Sequence, residues 1–345
     1  MSGSETILEA AGFDGSDIPV IDLSDNREES EIVSELLHAF STIGFCTLIH
    51  HGIPSELFRK AFQASRDFFE LPVETKLKYK YKTASSNRGY IPYGMEQFAV
   101  QKDQKETMDI GYDCESDEAK NEWPEELPPH HFKDILETYF EELDALNLRL
   151  IKYIGQGLGL PDDGDYLVRK CDGKHENLRL LHYPSISQTV GDGTLQKTIR
   201  TNAHTDYGTL TLLAQDMVGG LKVKRNDGTW IDVQPVEDSI IVNVGDMLMR
   251  FTNDRLKATL HKVESPEVTT AVVTSSDTSE NHDGSVASTK TIIPERYSIA
   301  FFCNANKEVE IECLETCVGP TEPARYSPIN AHEYLTKSLS ATIQS

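Results

Sequence analysis

The amino-acid sequence predicts an α+β fold that is mainly β, in which a double-stranded β-helix of the jelly-roll or cupin-like type is buttressed by N-terminal helices. Apolar residues of the N-terminal half recur at helical spacing. From about Asn177 onward the sequence changes to short β-type runs separated by Gly, Asn and Asp, with no helical pattern between them. At 345 residues and 38.6 kDa, the chain is long enough to bury a large core.

The N-terminal half combines short strands with amphipathic helices. A β-type run at 18–23 is followed by apolar residues at helical spacing from Ile32 to Ile43, and then by a strand from Phe45 to Ile49. Two further apolar stripes, Leu57 to Phe69 and Phe132 to Ile154, predict a second and a third helix. We expect these helices to cover one face of a sheet.

Eight short runs supply the predicted strands of the C-terminal half. They are Leu178–Tyr183, Thr209–Ala214, Leu221–Lys224, Trp230–Val233, Ser239–Val244, Met247–Phe251, Ala258–Glu264 and Arg296–Phe302. The segment 268–290 departs from both patterns, because it is dominated by Ser, Thr, Asp and small residues. It predicts a long surface loop, which is either a solvated insertion or a lid.

These changes of pattern predict the domain organisation. An N-terminal region of helices and strands spans 16–125, and the β-helix core spans 175–306. A C-terminal extension covers 307–345, and the loop insertion at 268–290 interrupts the core.

Charge and cysteine content exclude several classes of protein. The 33 Lys and Arg against 56 Asp and Glu give a net charge of −23, which repels nucleic acid and anionic membrane surfaces. The N-terminus does not read as a secretory signal, and no apolar run approaches a membrane span. The six cysteines include no CxxC pair and are expected to be reduced thiols of a cytoplasmic protein. No sequence feature indicates an interface between subunits, so a monomer is expected.

Two histidines and one aspartate suggest a metal site. His204 and Asp206 precede a predicted strand and lie two positions apart, so an extended backbone puts both side chains on one face. His261 lies inside the predicted strand at 258–264. Two imidazoles and one carboxylate capping one face of an octahedron are the ligands of non-haem Fe(II) oxygenases, because three positions stay open. The same residues also suit a water-activating zinc hydrolase or a structural pairing of histidine and aspartate.

An arginine and a serine suggest a binding site for a carboxylate. Arg296 and Ser298 alternate along one predicted strand, so they share a face and offer a guanidinium fork and a hydroxyl. A buried, unpaired arginine is costly, so an inward Arg296 needs a carboxylate. That carboxylate belongs either to a ligand or to a structural ion pair.

A series of motifs stands in the order found in one enzyme family. They are Ile18-Pro19-Val20-Ile21-Asp22-Leu23, Gly44-Phe45, His51-Gly52-Ile53-Pro54, Phe68-Phe69, Leu71-Pro72, Asn87-Arg88-Gly89-Tyr90, Lys105-Glu106, His182-Tyr183-Pro184, His204-Thr205-Asp206, Gly219-Gly220-Leu221, Asn243, Gly245-Asp246, Asn253, 257–263 and Arg296-Tyr297-Ser298. Over roughly 18–340 the chain resembles the iron(II) and 2-oxoglutarate-dependent dioxygenases of the isopenicillin N synthase-like superfamily.

The resemblance implies an enzyme that oxidises an unactivated C–H bond by hydroxylation, desaturation or oxidative cyclisation, with release of succinate and CO2. The implied iron ligands are His204, Asp206 and His261. The residues implied to hold the distal carboxylate of 2-oxoglutarate are Tyr183, Arg296 and Ser298. Ascorbate is expected to stimulate the reaction, which would belong to biosynthesis of small molecules.

Two departures from the family pattern stand out. Plant members usually carry Asn two residues before the tyrosine, where this chain has Leu181, so one polar contact near the co-substrate is expected to be missing. The interval of 35 positions from His261 to Arg296 is unusually long, and the insertion at 268–290 supplies the excess. The insertion is expected to leave the co-substrate site intact and to shape the substrate mouth.

Substrate contacts and the substrate itself are less determined. The candidate contacts are Arg88, Tyr90, Asn202, Tyr207 and Phe302. Strand alternation places Phe302 on the face of Arg296, and Asn202 on the face of His204. A soluble small molecule is expected, with no nucleic acid or membrane partner. Two alternatives remain beside the zinc hydrolase: an oxidase of the same fold that does not use 2-oxoglutarate, and a non-catalytic metabolite-binding module.

Overall fold

The structure is a computed structural model, and it describes residues 18–96, 102–113, 120–190, 197–265 and 289–342. The α-helices are α1 (Glu29–Thr42), α2 (Ser55–Phe69), α3 (Val73–Lys76), α4 (Lys133–Gly157), α5 (Asp165–Val168), α6 (Asp246–Phe251) and α7 (Ala331–Thr342). The strands are β1 (Val20–Asp22), β2 (Phe45–Ile49), β3 (Gly89–Ile91), β4 (Glu106–Gly111), β5 (Asn177–Tyr183), β6 (Ile186–Val190), β7 (Ile199–His204), β8 (Leu210–Gln215), β9 (Leu221–Lys224), β10 (Trp230–Asp232), β11 (Ile240–Val244), β12 (His261–Glu264), β13 (Thr289–Ile293), β14 (Arg296–Phe302), β15 (Glu310–Ile311) and β16 (Ile329–Asn330).

Two sheets form the centre of the fold. The larger has eight strands in the order β1-β2-β11-β8-β14-β5-β4-β3, and the smaller has four in the order β10-β9-β12-β7. Within the larger sheet β14 lies antiparallel between β8 and β5. Two further strand pairs, β6 with β13 and β15 with β16, stand outside these sheets.

Alternation along the strands sends side chains into two cores. On β14, Tyr297 and Ile299 join the core between the large sheet and the helices, whereas Ala300 joins the core between the two sheets. Leu180 and Leu181 of β5 divide in the same way. The helix-side core also contains the apolar faces of α1, α2 and α4, so the predicted buttressing of one sheet face by N-terminal helices is confirmed.

One predicted strand is wrong. The run Met247–Phe251 forms helix α6, in which Met247, Leu248 and Phe251 are buried at the spacing of one helical turn. A short apolar run carries no period that separates a buried strand from a buried helix, and Gly245 and Asp246 begin a helix here. Strands β3, β4, β6, β7, β13, β15 and β16 and helices α3, α5 and α7 were not predicted as elements.

Three sequence expectations concern the cysteines, the insertion and membrane-spanning helices. The five described cysteines are free thiols, of which Cys46, Cys171, Cys303 and Cys317 are buried, and Cys114 lies outside the description. The insertion at 268–290 lies outside it as far as residue 288. None of the helices in the described ranges is long and apolar enough to cross a membrane.

Candidate active site

The structure brings the two histidines and the aspartate together at one edge of the smaller sheet. His204 ends β7, His261 begins β12, and the two are paired across the strands. Asp206 follows two residues after His204, and its Oδ1 lies 3.6 Å from His204 Nε2 and 3.7 Å from His261 Nε2. One ligand atom from each of the three residues lies within 4.8 Å of the others.

Both imidazoles are oriented by the backbone. His204 Nδ1 lies 2.8 Å from the carbonyl oxygen of Asn202, and His261 Nδ1 lies 3.1 Å from that of Thr259. Since a carbonyl oxygen only accepts hydrogen bonds, each Nδ1 carries the ring proton and donates it. Each Nε2 therefore presents its lone pair toward Asp206, which is the usual way in which proteins fix a metal-binding histidine.

The carboxylate of Asp206 is held by one oxygen only. Thr211 Oγ1 and Asn243 Nδ2 donate to its Oδ2 at 2.6 and 2.8 Å, which turns Oδ1 toward the two imidazoles. Burial alone would raise the pKa of Asp206, but attraction to the imidazoles and these two hydrogen bonds lower it. Burial and repulsion from His261 lower the pKa of His204 to about 4. At neutral pH His204 is therefore a neutral imidazole and Asp206 an ionised carboxylate, the protonation states that bind a metal.

This donor set fits Fe(II). Two nitrogen ligands and one carboxylate oxygen converge from one side, and the other side faces a cavity. A facial arrangement of this kind leaves coordination positions for a chelating co-substrate and for dioxygen.

Arg296 lies buried in the wall of the same cavity. It is 2% exposed, and it donates to the carbonyl of Gly219 at 2.9 Å, to Ser298 Oγ at 3.0 Å and to Gln215 Oε1 at 3.1 Å. Its guanidinium carbon lies 4.9 Å from the ring centroid of Tyr183. Among the residues that the structure describes, no carboxylate forms an ion pair with Arg296. A guanidinium cannot escape burial by losing its proton, so this position calls for an anionic ligand.

The active-site cavity has an empty volume of about 1020 Å³, part of it open to solvent. The metal-binding cluster, Tyr183, Arg296 and Ser298 all line it. Leu181, which replaces the asparagine of plant members, also lines it and presents an apolar surface there.

A buried ion-pair network forms another part of the wall. Arg179 on β5 binds both oxygens of Asp109 at 2.7 and 2.8 Å and one oxygen of Glu96 at 2.8 Å. The other oxygen of Glu96 lies 2.8 Å from Lys105 Nζ, which also contacts Asp103. Burial would raise the pKa of Glu96, but the two cations lower it to about 2. Glu96 is therefore ionised, and Arg179 and Lys105 balance its charge within the network.

Two of the five candidate substrate contacts line the active-site cavity, namely Tyr207 and Phe302. Arg88 lies outside its wall and donates to the carbonyls of Ser86 and Asn87, while the adjacent Asn87 lines the cavity. Tyr90 belongs to the helix-side core, where its hydroxyl donates to Glu106.

Asn202 also lies outside the wall, contrary to the expectation from strand alternation. Its side chain donates to Asp103 at 2.6 Å. The pairing of β7 with β12 is irregular, because His261 and Val263 are two apart while their partners His204 and Thr201 are three apart. This bulge reverses the alternation, so Thr201 rather than Asn202 lines the cavity together with His204.

Sequence reasoning missed the C-terminal helix as part of the site. Leu335, Leu339 and Thr342 of α7 line the active-site cavity, and the hydroxyls of Thr342 and Tyr207 are 2.5 Å apart. Their position depends on how α7 packs, for which the sequence carries no local signal. The supports of Asp206 were missed as well, although Asn243 stands in one of the family's motifs.

The fold and the ligand set define a non-haem iron oxygenase, and comparisons with known proteins specify the class. Residues 18–128 match the family model of the N-terminal region of the non-haem dioxygenase in morphine synthesis. Residues 174–305 match that of the 2OG-Fe(II) oxygenase superfamily.

Similar proteins occur among fungi. The chain is 33% identical over 322 residues to the 2-oxoglutarate-dependent dioxygenase ecdK of Aspergillus rugulosus, covering 87% of this chain and 90% of that protein. It is 32% identical to the proline hydroxylase buaE of Petromyces alliaceus, covering 87% and 89%. A full-length Neurospora crassa protein, crystallised in complex with alpha-KG and thymine, shares 33% identity and a TM-score of 0.78, over 95% of this chain and 98% of that one.

The chain belongs to the 2OG-Fe(II) oxygenase superfamily. It is a 2-oxoglutarate-dependent non-haem iron dioxygenase that acts on small molecules, with Fe(II) as its metal and 2-oxoglutarate as its co-substrate. The predicted family, fold class, enzyme class and cofactors are thereby confirmed.

Proposed function

We propose that His204, Asp206 and His261 hold Fe(II), and that Arg296, with Ser298 and Tyr183, holds the distal carboxylate of 2-oxoglutarate. The observation that carries this assignment is the buried guanidinium of Arg296, which meets no carboxylate among the described residues and shares a cavity with three converging metal ligands. A dicarboxylate that chelates the metal at one end needs one cation at the other. The intact set favours a 2-oxoglutarate-dependent enzyme over an oxidase without that co-substrate.

The protein's own residues bind, orient and exclude water. When Fe(II) is bound, it supplies the redox chemistry that couples O2 and the decarboxylation of 2-oxoglutarate to cleavage of a substrate C–H bond. Arg296 would neutralise the charge of the distal carboxylate. Ser298 Oγ, 3.0 Å from the guanidinium, and Tyr183, whose ring centroid lies 4.9 Å from the guanidinium carbon, would provide further contacts. Thr211 and Asn243 keep Asp206 turned toward the metal.

The substrate side of the cavity determines which carbon is oxidised. Phe302 and Tyr207 provide aromatic surfaces, and Leu335 and Leu339 of α7 provide aliphatic ones. Positioning a C–H bond near the metal in a site from which water is excluded is the main contribution that a protein makes to such a reaction. Hydroxylation, desaturation and oxidative cyclisation all begin with that C–H bond, and analysis of the product separates them.

The domain boundaries form part of the proposal. The extension at 307–345 belongs to the catalytic unit because α7 lines the cavity and Tyr334 donates to Asp246 at 3.0 Å. The N-terminal region at 16–125 supplies Asn87, Glu96 and Lys105 to the same wall. A monomer would therefore contain the whole site, and a cytoplasmic location stays a prediction.

Succinate release tests the proposed function. The enzyme is incubated in air with Fe(II), 2-oxoglutarate and a library of small metabolites, with and without ascorbate, and products are analysed by mass spectrometry. We expect one compound to stimulate succinate formation and to gain an oxygen atom or lose two hydrogens. Ascorbate is expected to increase the yield.

Three variants serve as controls. His204→Ala and Arg296→Ala are expected to abolish stimulation, whereas His130→Ala, at an exposed position outside the cavity, retains it. If the wild type never exceeds the first two variants while carrying iron, the assignment of these residues is wrong.

A further inference from the structure

A second cavity adjoins the active site. It has an empty volume of about 620 Å³ and is lined by residues 84–88, the segment before β5, the segment after β14 and one side of α7 from Ala331 to Leu339. Asn87, Asn304, Leu335 and Leu339 line both cavities. The two cavities therefore meet at a boundary formed by these four side chains.

The lining of this second cavity is basic in a strongly acidic protein. Its charged and titratable residues are Arg88, Lys174, His175, Lys307 and His332, and none of the described residues that line it is Asp or Glu. The whole chain has a net charge of −23. A patch of cations inside a concave surface concentrates anions locally even where the protein as a whole repels them. We call this feature the basic cavity.

Two lysines make the charge available to a ligand. Lys174 and Lys307 are exposed, and within the described part of the chain neither forms an ion pair. Lys174 Nζ lies 4.4 Å from the ring centroid of Tyr112, within the distance of a cation–π contact. Glu176 and Asp144 interact electrostatically with Lys174, and burial raises the pKa of both carboxyls, that of Glu176 to about 8, which weakens their opposing charge.

Arg88 is held in place from two sides. Its guanidinium donates to the carbonyls of Ser86 and Asn87 at 3.2 and 3.1 Å. It also occupies the space beside Gly111, where a Cβ atom would lie 1.7 Å from the guanidinium carbon. An oriented guanidinium loses less conformational entropy when it binds a ligand.

We propose that the basic cavity binds an anionic group, a carboxylate or a phosphate, of the substrate whose C–H bond is oxidised in the active-site cavity. The inference rests on the proposed function and deepens it by naming the substrate class: a small molecule that carries an anion at one end and an apolar part at the other. The apolar part passes Leu335 and Leu339 and packs against Phe302.

Labelling with pyridoxal 5′-phosphate tests the anion site without any turnover. This anionic aldehyde forms an imine with a lysine amine, releasing water, and added borohydride reduces the imine to a stable amine that peptide mapping locates. We expect Lys174 and Lys307 to be labelled at least about fivefold faster than Lys337, an exposed lysine of α7 outside the cavity. Inorganic phosphate should compete, and pyridoxal without the phosphate should show no preference. Equal labelling of Lys337, or the same preference with pyridoxal, overturns the anion site.

Matched pairs of compounds test whether the anion belongs to the substrate. Each acid in the library is assayed for succinate release beside its neutral methyl ester, with the double variant Lys174→Gln/Lys307→Gln and the control Lys337→Gln. We expect stimulation by an acid, a KM for that acid raised about tenfold in the double variant alone, and an unchanged KM for 2-oxoglutarate. A neutral ester that works equally well overturns the link to the substrate. Labelling needs neither iron nor 2-oxoglutarate. It therefore tests the anion site even if the proposed function is wrong.

Discussion

Two arginines that line the active-site cavity are buried on adjacent strands, and they differ in whether a carboxylate balances their charge. Arg179 on β5 contacts two carboxylates, those of Asp109 and Glu96. Arg296 on β14 contacts a carbonyl, a hydroxyl and an amide, and no carboxylate among the described residues. The first arginine is neutralised by the fold and links β4 to β5, whereas the second is the one for which we propose an anionic ligand. Burial of a charge therefore indicates function only when its counter-charge is missing.

Arg179→Met is expected to cause the largest loss of stability. The substitution keeps much of the volume but leaves Asp109 and Glu96 as buried carboxylates without their guanidinium, at a cost of about 3–5 kcal/mol. Chemical denaturation measures it. Arg169→Met, at an exposed arginine paired with Asp162, should change stability by less than about 1 kcal/mol. Equal losses in both variants would contradict the structural role of the network.

Arg296→Met should give the reverse pattern. Without ligand, the variant should lose less than half of what Arg179→Met loses, because no buried partner is left charged. Affinity for 2-oxoglutarate should fall roughly 100-fold, as expected for removing one member of a buried charge pair. Thermal unfolding with and without 2-oxoglutarate and an inert divalent metal measures both effects, since a ligand stabilises the state that binds it. If 2-oxoglutarate stabilises the variant as much as the wild type, another residue holds the distal carboxylate.

Glu176 shows how a buried acid differs from a buried arginine. It is 1% exposed, neither of its carboxylate oxygens has a hydrogen-bond partner among the described residues, and burial raises its pKa from 4.5 to about 8. The folded state therefore binds the proton more tightly than the unfolded state. The stability from this group is complete below pH 4.5 and is lost as the pH rises through about 8.

Glu176→Gln should remove that pH dependence. At pH 8 we expect the variant to melt about 2–4 °C above the wild type, and at pH 5 the difference should close. Thermal unfolding at several pH values measures it. A difference that is constant across this range would show that the carboxyl is not protonated in the folded state.

Thr211→Val is expected to cause the smallest change among these variants, and it tests how Asp206 is oriented for metal binding. Loss of the hydrogen bond to Asp206 Oδ2 should weaken divalent metal binding about tenfold, with little effect on stability. Thr209→Val is the matched control, because Thr209 is also buried but its hydroxyl has no hydrogen-bond partner among the described residues. Titration of both variants with a divalent metal measures the two affinities. If the variants bind the metal equally well, Asn243 alone orients Asp206.

The sequence by itself determined the pattern within each strand. Alternation along β14 correctly placed Arg296, Ser298 and Phe302 on one face, because the two-residue period of a regular strand is a local property. The sequence also identified His204, Asp206 and His261 as a set, because the ability to bind a metal depends on residue type.

Only the tertiary structure decided where a strand departs from regular alternation and which distant segments pack together. The bulge in β7 turns Asn202 away and Thr201 inward, and it arises from pairing with β12, which is distant in sequence. Likewise, α7 lines the cavity, and the carboxylates that neutralise Arg179 come from segments remote from it in sequence. Among the described residues no such carboxylate reaches Arg296. Local periodicity depends on neighbouring residues, whereas counter-charges and cavity walls depend on long-range packing, which no local pattern specifies.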